Sequence, residues 1–251
     1  MISAAFSAIF YRPLYNGLVF LLSVFPFLDA GLAIIIFTII IKFALFPLSK
    51  KSIKTQLVMK SVQPEVDKIK EKHKNDRERQ ARELLNFYRG NDINPFSGFF
   101  LILIQFPILL ALYWVFYKGG LDPINTGLLY SFVMPPVDFD HSFLSIWNIS
   151  ERSVPLALTA AAVQYLQIKF SMPIGSTPAG EKSFGADLAK MMQLQMKYVF
   201  PVIIYFIAHT SGGLALYLIT SSLFAVGQEL YMRKNLKSGK TSNPLVVNQV
   251  K

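Results

Sequence analysis

YVFPVIIYFIAHTSGGLALYLITSSLFAVGQ, residues 198–228, holds no Asp, Glu, Lys or Arg over 31 positions. As a single helix it would run roughly 46 Å at ~1.5 Å per residue, well beyond the ~30 Å of hydrocarbon that one span has to cross. At its centre stands His209-Thr210-Ser211-Gly212-Gly213, where paired glycines suit a tight reversal. Whether this stretch is one helix or two decides the parity of the whole chain.

Charge answers the question. Residues 50–92 carry twelve Lys/Arg against seven Asp/Glu, a net +5. Residues 119–151 carry no Lys or Arg and four acids, Asp122, Asp138, Asp140 and Glu151. Residues 169–197 carry four basic and two acidic residues, and 233–251 carry five basic and none acidic. Basic loops stay in the cytoplasm, so these segments read as inside, outside, inside and inside. Two consecutive inside segments need an even number of crossings between them, so 198–228 is two spans. The others are 32–48, interrupted only by Lys42, the uncharged 96–117, and 153–168 with its flanks. The expected fold is an all-α integral membrane protein with five transmembrane helices, its N-terminus outside and its C-terminus cytoplasmic.

Composition points the same way: 53% of the 251 residues are hydrophobic and 16% charged, fewer charges than a soluble domain carries. The net charge of +10 reports orientation before it reports a partner. With no cysteine, disulfides, thiolate metal sites and thiol nucleophiles are excluded. His73, His141 and His209 are isolated and form no metal-ligand set, so neither metal nor cofactor is expected. No cation precedes Arg12, so a cleaved signal peptide is not expected. The stretch 17–28 is apolar for only 12 residues, which suits an N-terminal interfacial helix on the outer surface. The organisation that follows is an external segment 1–31, a five-span core 32–233 and a basic cytoplasmic tail 234–251.

Within that core, 50–92 is the one large soluble piece. Met59, Val62, Val66, Ile69 and His73 form a heptad-like stripe, and Ala81, Leu84, Leu85 and Tyr88 a second, shorter one beyond the turn Lys74-Asn75-Asp76. This predicts a cytoplasmic helical hairpin, bent at Pro64, with one apolar seam and a basic exterior. So much charge is equally a solvated helix face or a docking surface for an anionic partner, such as a ribosome or the signal recognition particle pathway.

Lys42 lies six residues before Leu48, about 9 Å inside the span's edge. A lysine near a helix centre costs on the order of 2.5–3.5 kcal/mol on insertion scales. Its long stem could snorkel to the headgroups, or its ammonium could face a wet cavity. Polar residues on other spans fit the cavity: Gln105, then Thr159, Gln164 and Gln167, then Thr220, Ser221 and Ser222. Gln164 and Gln167 share a helix face. Interhelical hydrogen bonding explains such residues as well; gathered around a cation they would make a hydrophilic, client-binding groove. No HExxH, GxSxG, P-loop or paired intramembrane aspartates occur. Ser211 and His209, two apart in a turn, do not make a hydrolase pair.

Several ordered motifs resemble the YidC/Oxa membrane protein insertases. Ile39-Ile40-Ile41-Lys42-Phe43-Ala44-Leu45-Phe46-Pro47-Leu48 is similar to their first core helix, and Gln63-Pro64-Glu65 with Lys72-His73-Lys74-Asn75-Asp76 to their cytoplasmic hairpin. Asn94-Pro95, Gln105-Phe106-Pro107-Ile108 and Ala111-Leu112-Tyr113 resemble the second span. Phe143 to Ile149, Gln167-Ile168-Lys169, Phe200-Pro201 and Ser211-Gly212 with Leu216-Tyr217 continue the likeness in order. The resemblance covers roughly 13–233. It implies a bacterial cell (inner) membrane insertase and chaperone for nascent membrane proteins, working alone or beside the Sec translocon without ATP. It further implies a groove open to the cytoplasm and the lipid bilayer, with Lys42 where the family commonly has arginine and Gln167 matching a groove glutamine on the third span. Gln105, Gln164 and Ser222, as polar residues on the other spans, complete the expected client-binding lining. The rival readings are a small-solute transporter, against which the lack of an internal repeat argues, and an intramembrane hydrolase, which lacks its residues.

Overall fold

The computed structural model describes residues 4–94, 97–117, 121, 123–136, 139–171, 191 and 194–237. Most of the 169–197 connection and the tail beyond 237 lie outside the described residues. The described residues are mostly helical, in keeping with the expected all-α membrane protein. Two described helices, Ala4–Val24 and Gly212–Asn235, are long and apolar enough to cross a bilayer, and Gln105–Phe116 and Gln195–Ala208 are shorter apolar helices.

Prolines punctuate the helices. Helix α1 (Ala4–Val24) starts well upstream of the expected stretch 17–28 and stops at Val24, short of its end, so the helix there is a 21-residue one rather than a 12-residue interfacial segment. It passes Pro13 because a π turn, Ser7–Tyr11, widens the backbone just before it, where the proline ring would otherwise strike a carbonyl four residues back. The π turn Gln195–Val199 precedes Pro201 in the same way, inside helix α8 (Gln195–Ala208). Helix α2 (Ala30–Ala44) is capped by Asp29, whose Oδ1 accepts from Leu32 N at 2.6 Å. It ends at Ala44, short of the expected Leu48, because a new helix, α3 (Phe46–Ser61), starts with Pro47 in its first turn. Helices α4 (Gln63–Lys72) and α5 (Arg77–Gly90) follow, then α6 (Ser97–Tyr117) with Pro107 inside it, and α7 (Val154–Ser171). Between α8 and α9 (Gly212–Lys237) the chain turns at His209–Ser211, where the glycine pair had placed the reversal.

Residues Met1–Leu45, Leu103–Lys169 and Gln195–Ala225 form one compact unit. Its core is built from Tyr15, Leu18 and Leu22 of α1, Ala33 and Ile34 of α2, Leu112 and Val115 of α6, Ala157 and Ala160 of α7, and Leu214 and Ala215 of α9. Small residues let these helices approach closely: a Cβ at Gly213 would lie 2.9 Å from the Phe116 ring. The segment between α6 and α7 is fastened to helix ends. Asp140 O accepts from Ala30 N at 2.8 Å, Glu151 O from Gly212 N at 2.8 Å, and Ile149 O from Ser211 Oγ at 2.8 Å. Asn16 of α1 donates to Leu128 O at 2.9 Å and accepts from Tyr130 N at 2.6 Å. The Arg12 guanidinium lies 5.5 Å from the Tyr130 ring centroid. A two-strand hairpin completes this segment, β1 (Ser142–Phe143) against β2 (Trp147–Asn148).

Residues Phe46–Ile102, Phe170–Leu194 and Val226–Lys251 form the second unit. Helices α4 and α5 pack on each other around Val58, Val62, Val66 and Ile93, with Met59, Leu84, Phe87 and Tyr88 against them. The seam departs from the expected stripes: Val58 is more deeply set than Met59, Ala81 and Leu85 are exposed, and Ile93 enters from beyond α5. The reason is that α3 ends at Ser61 and α4 restarts with Pro64 in its first turn, which breaks rather than bends the arm and shifts the phase of its faces. Burial pushes the Tyr88 phenol above its ordinary pKa, and the nearby Asp67 carboxylate adds to the shift. Asp76 ends the connecting turn by capping α5, accepting from Arg79 N at 2.9 Å.

Candidate functional site

Lys42 sits near the C-terminal end of α2, where it complements the helix dipole but lies among apolar neighbours. Its Nζ donates to Gln105 Oε1 at 3.0 Å, and no carboxylate among the described residues pairs with it. A hydrogen bond to a neutral amide is worth about 1.5–3 kcal/mol when the donor is charged. Among the described residues no counter-charge meets the ammonium.

The contact fixes the orientation of Gln105. An ammonium only donates, so the Gln105 carbonyl must face Lys42 and its NH2 must face away. That NH2 donates to the hydroxyl of Tyr217 on α9, a fully buried side chain. The sequence reading passed over Tyr217 as a site residue. Its signal was position: a tyrosine in mid-span stands outside the interfacial belt where this residue usually lies.

Two of the other predicted residues come together on a second pair of helices. Ser222 Oγ of α9 donates to Gln164 Oε1 of α7 at 2.9 Å, and both side chains are buried. Helix α9 therefore presents Tyr217 to α6 and Ser222 to α7. Gln167 lies one turn beyond Gln164 and is half-buried, and no described hydrogen bond joins it to the others. Thr159 is exposed and bonds back to Pro155 O of its own helix at 2.8 Å. Ser211 is spent on Ile149 O, and the His209 ring stacks on Tyr205 at 5.7 Å, so neither is poised for nucleophilic chemistry. Among the described residues no group of three or more His, Cys, Asp or Glu could hold a metal ion.

A half-buried cation, oriented amides and hydroxyls can solvate polar groups in an apolar medium. Residues 21–240 match the family described as 60Kd inner membrane protein. The chain is 35% identical over 205 residues to the membrane protein insertase YidC of Fusobacterium nucleatum, a match spanning 81% of this chain and 86% of that one. It is 32% identical over 209 residues to the Clostridium tetani protein of the same name, spanning 83% and 84% of the two chains. For that of Clostridium acetobutylicum the identity is 34% over 205 residues, spanning 79% and 71%.

Proposed function

The chain belongs to the YidC/Oxa family of membrane protein insertases, and on that footing we propose that Lys42, Gln105, Gln164, Gln167, Ser222 and Tyr217 line a hydrophilic groove for its clients. Its activity is membrane protein insertion rather than covalent catalysis, its clients are nascent membrane proteins, and their destination is the lipid bilayer. The observation that supports the groove is Lys42, hydrogen-bonded to an amide and, among the described residues, matched by no carboxylate. A site with surplus positive charge and fixed dipoles lowers the cost of bringing a polar client segment out of water. The client's apolar segment leaves along the outer faces of α7 and α9, where Leu158, Leu166 and Leu223 are exposed. Its transfer is driven by roughly 25 cal/mol per Å² of apolar area buried.

Five spans, α2, α6, α7, α8 and α9, carry this groove in a core of residues 32–233. The +5 charge of 50–92 against the −4 of 119–151 supports a cytoplasmic helical hairpin, an external 119–151 and an external N-terminal segment 1–31. The bonds from Arg12 and Asn16 to the 128–130 stretch support the last of these. The basic hairpin suits docking of a ribosome or signal recognition particle, and a lateral opening suits work beside the Sec translocon. The test is reconstitution of the full chain into liposomes with a single-span client. Protease protection of the client's tail is expected, without solute flux and without client cleavage; flux or cleavage in place of protection would overturn the reading.

A further inference from the structure

Outside the groove, the end of the first unit near Asp29 carries three apolar side chains that are exposed among the described residues. Phe27 is 80% exposed, Ile146 67% and Leu144 52%. They belong to one rim, because Asp29 Oδ2 accepts from Leu144 N at 2.9 Å and the Phe143 side chain lies against Gly31. Leu144 and Ser145 both have positive φ, 53° and 56°. Two successive residues in the left-handed region normally include Asn or Gly, and a leucine held there costs about 1 kcal/mol or more. Something must favour a strained apolar tip over the easier polar one.

The backbone of the tip supplies the clue. Ser142 N donates to Asp140 Oδ1 at 2.9 Å, Leu144 N to Asp29, Ser145 N to Ser142 Oγ at 3.1 Å and Ile146 N to Phe143 O at 3.1 Å. An exposed turn in water has no need to satisfy its amides internally, whereas one in a bilayer does. The exposed apolar face is continuous with α1 through Phe20 and Val24 to Phe25 and Phe27, and α1 is itself apolar enough for lipid. Behind the tip the Trp147 ring stacks on Phe143 at 6.1 Å, the kind of amphipathic residue enriched at the membrane–water boundary. Three side chains on two narrow turns also fall far short of the roughly 20–30 residues a side that a protein interface engages.

We propose that the 25–27 turn and the 144–146 tip form a wedge seated in the interfacial layer of the bilayer, with lipid as its occupant and Asp29 as the strut joining it to α2. The proposal rests on membrane residence and not on the groove, so it stands or falls independently of Lys42. The cysteine-free chain permits single-site labelling. Phe27→Cys, Ile146→Cys and, as an exposed control, Asn75→Cys would each carry an environment-sensitive nitrobenzoxadiazole group in the full chain, reconstituted in phosphatidylcholine–phosphatidylglycerol vesicles. At 27 and 146 the expected result is blue-shifted emission that loses more intensity to lipids spin-labelled near the headgroup than to aqueous iodide. Position 75 should show the reverse. Asp29→Ala combined with the label at 146 should move that site toward iodide accessibility. Iodide quenching at 27 and 146 equal to that at 75 would overturn the proposal. So would protection from both quenchers that grows with the protein-to-lipid ratio, which would identify a second copy as the occupant.

Discussion

Replacing Lys42 by Gln removes the charge but keeps an NH2 that can donate to Gln105, so the polar contact with α6 survives. Between a client carboxylate about 5 Å away and the ammonium, attraction is about 3 kcal/mol at an effective dielectric near 20, against about 0.8 kcal/mol in bulk water. The difference would be worth roughly 50-fold in rate if realised fully in the translocating state, and water in the groove reduces it. The expected loss for Lys42→Gln is therefore about tenfold for a client whose translocated tail carries one acid, and little for a neutral tail. Lys42→Arg should retain insertion of both. Lys42→Ala should resemble Gln for tail selectivity with an added stability loss of about 1–3 kcal/mol, because Gln105 Oε1 loses its donor. Lys42→Glu should be worst for acidic tails, since attraction becomes repulsion. The assay is initial insertion rate in proteoliposomes, at equal protein levels, for a client series differing only in tail charge. If Gln, Ala and Glu variants slow all tails alike, Lys42 serves hydration or packing and not charge selection. If every variant inserts every client at the wild-type rate, Lys42 is only an anchor.

Tyr217→Phe deletes the hydroxyl that accepts from Gln105, so detergent-solubilised protein should lose about 1–2 kcal/mol of stability. Combined with Gln105→Leu the loss should be less than additive, and simple additivity in thermal unfolding would refute the coupling. For topology, Asn125→Cys should react with an impermeant thiol reagent in intact cells and Asn75→Cys only after lysis; the opposite pattern would invert the chain. Removing 55–88, which takes out most of the Val58–Ile93 seam, should impair client delivery in cells yet leave a folded membrane core. Collapse of that core's thermal stability in detergent would instead make the hairpin a structural brace.

Read alone, the sequence determined the membrane class, the mostly helical fold and the break between α8 and α9, because these follow from local properties. Long apolar runs, charge clusters and the pair Gly212-Gly213 act within a few residues of themselves. It also nominated Lys42 and Gln105, since a cation or an amide within an apolar run is conspicuous wherever it points. Tertiary structure alone decided which polar residues meet. Gln105 and Tyr217 lie 112 positions apart, and Ser222 and Gln164 lie 58 apart. Neither pairing has a periodicity that a single helix would reveal. The phase of the α4–α5 seam was equally hidden, because it depends on where the break at Val62 resets the helix face and on Ile93 arriving from outside α5. The same holds for the 144–146 tip. Nothing in Phe143-Leu144-Ser145-Ile146 signals a left-handed turn, and the carboxylate that holds it comes from Asp29, 115 positions away. Local patterns specify helices, whereas a site made by contacts between distant side chains exists only once the helices have packed.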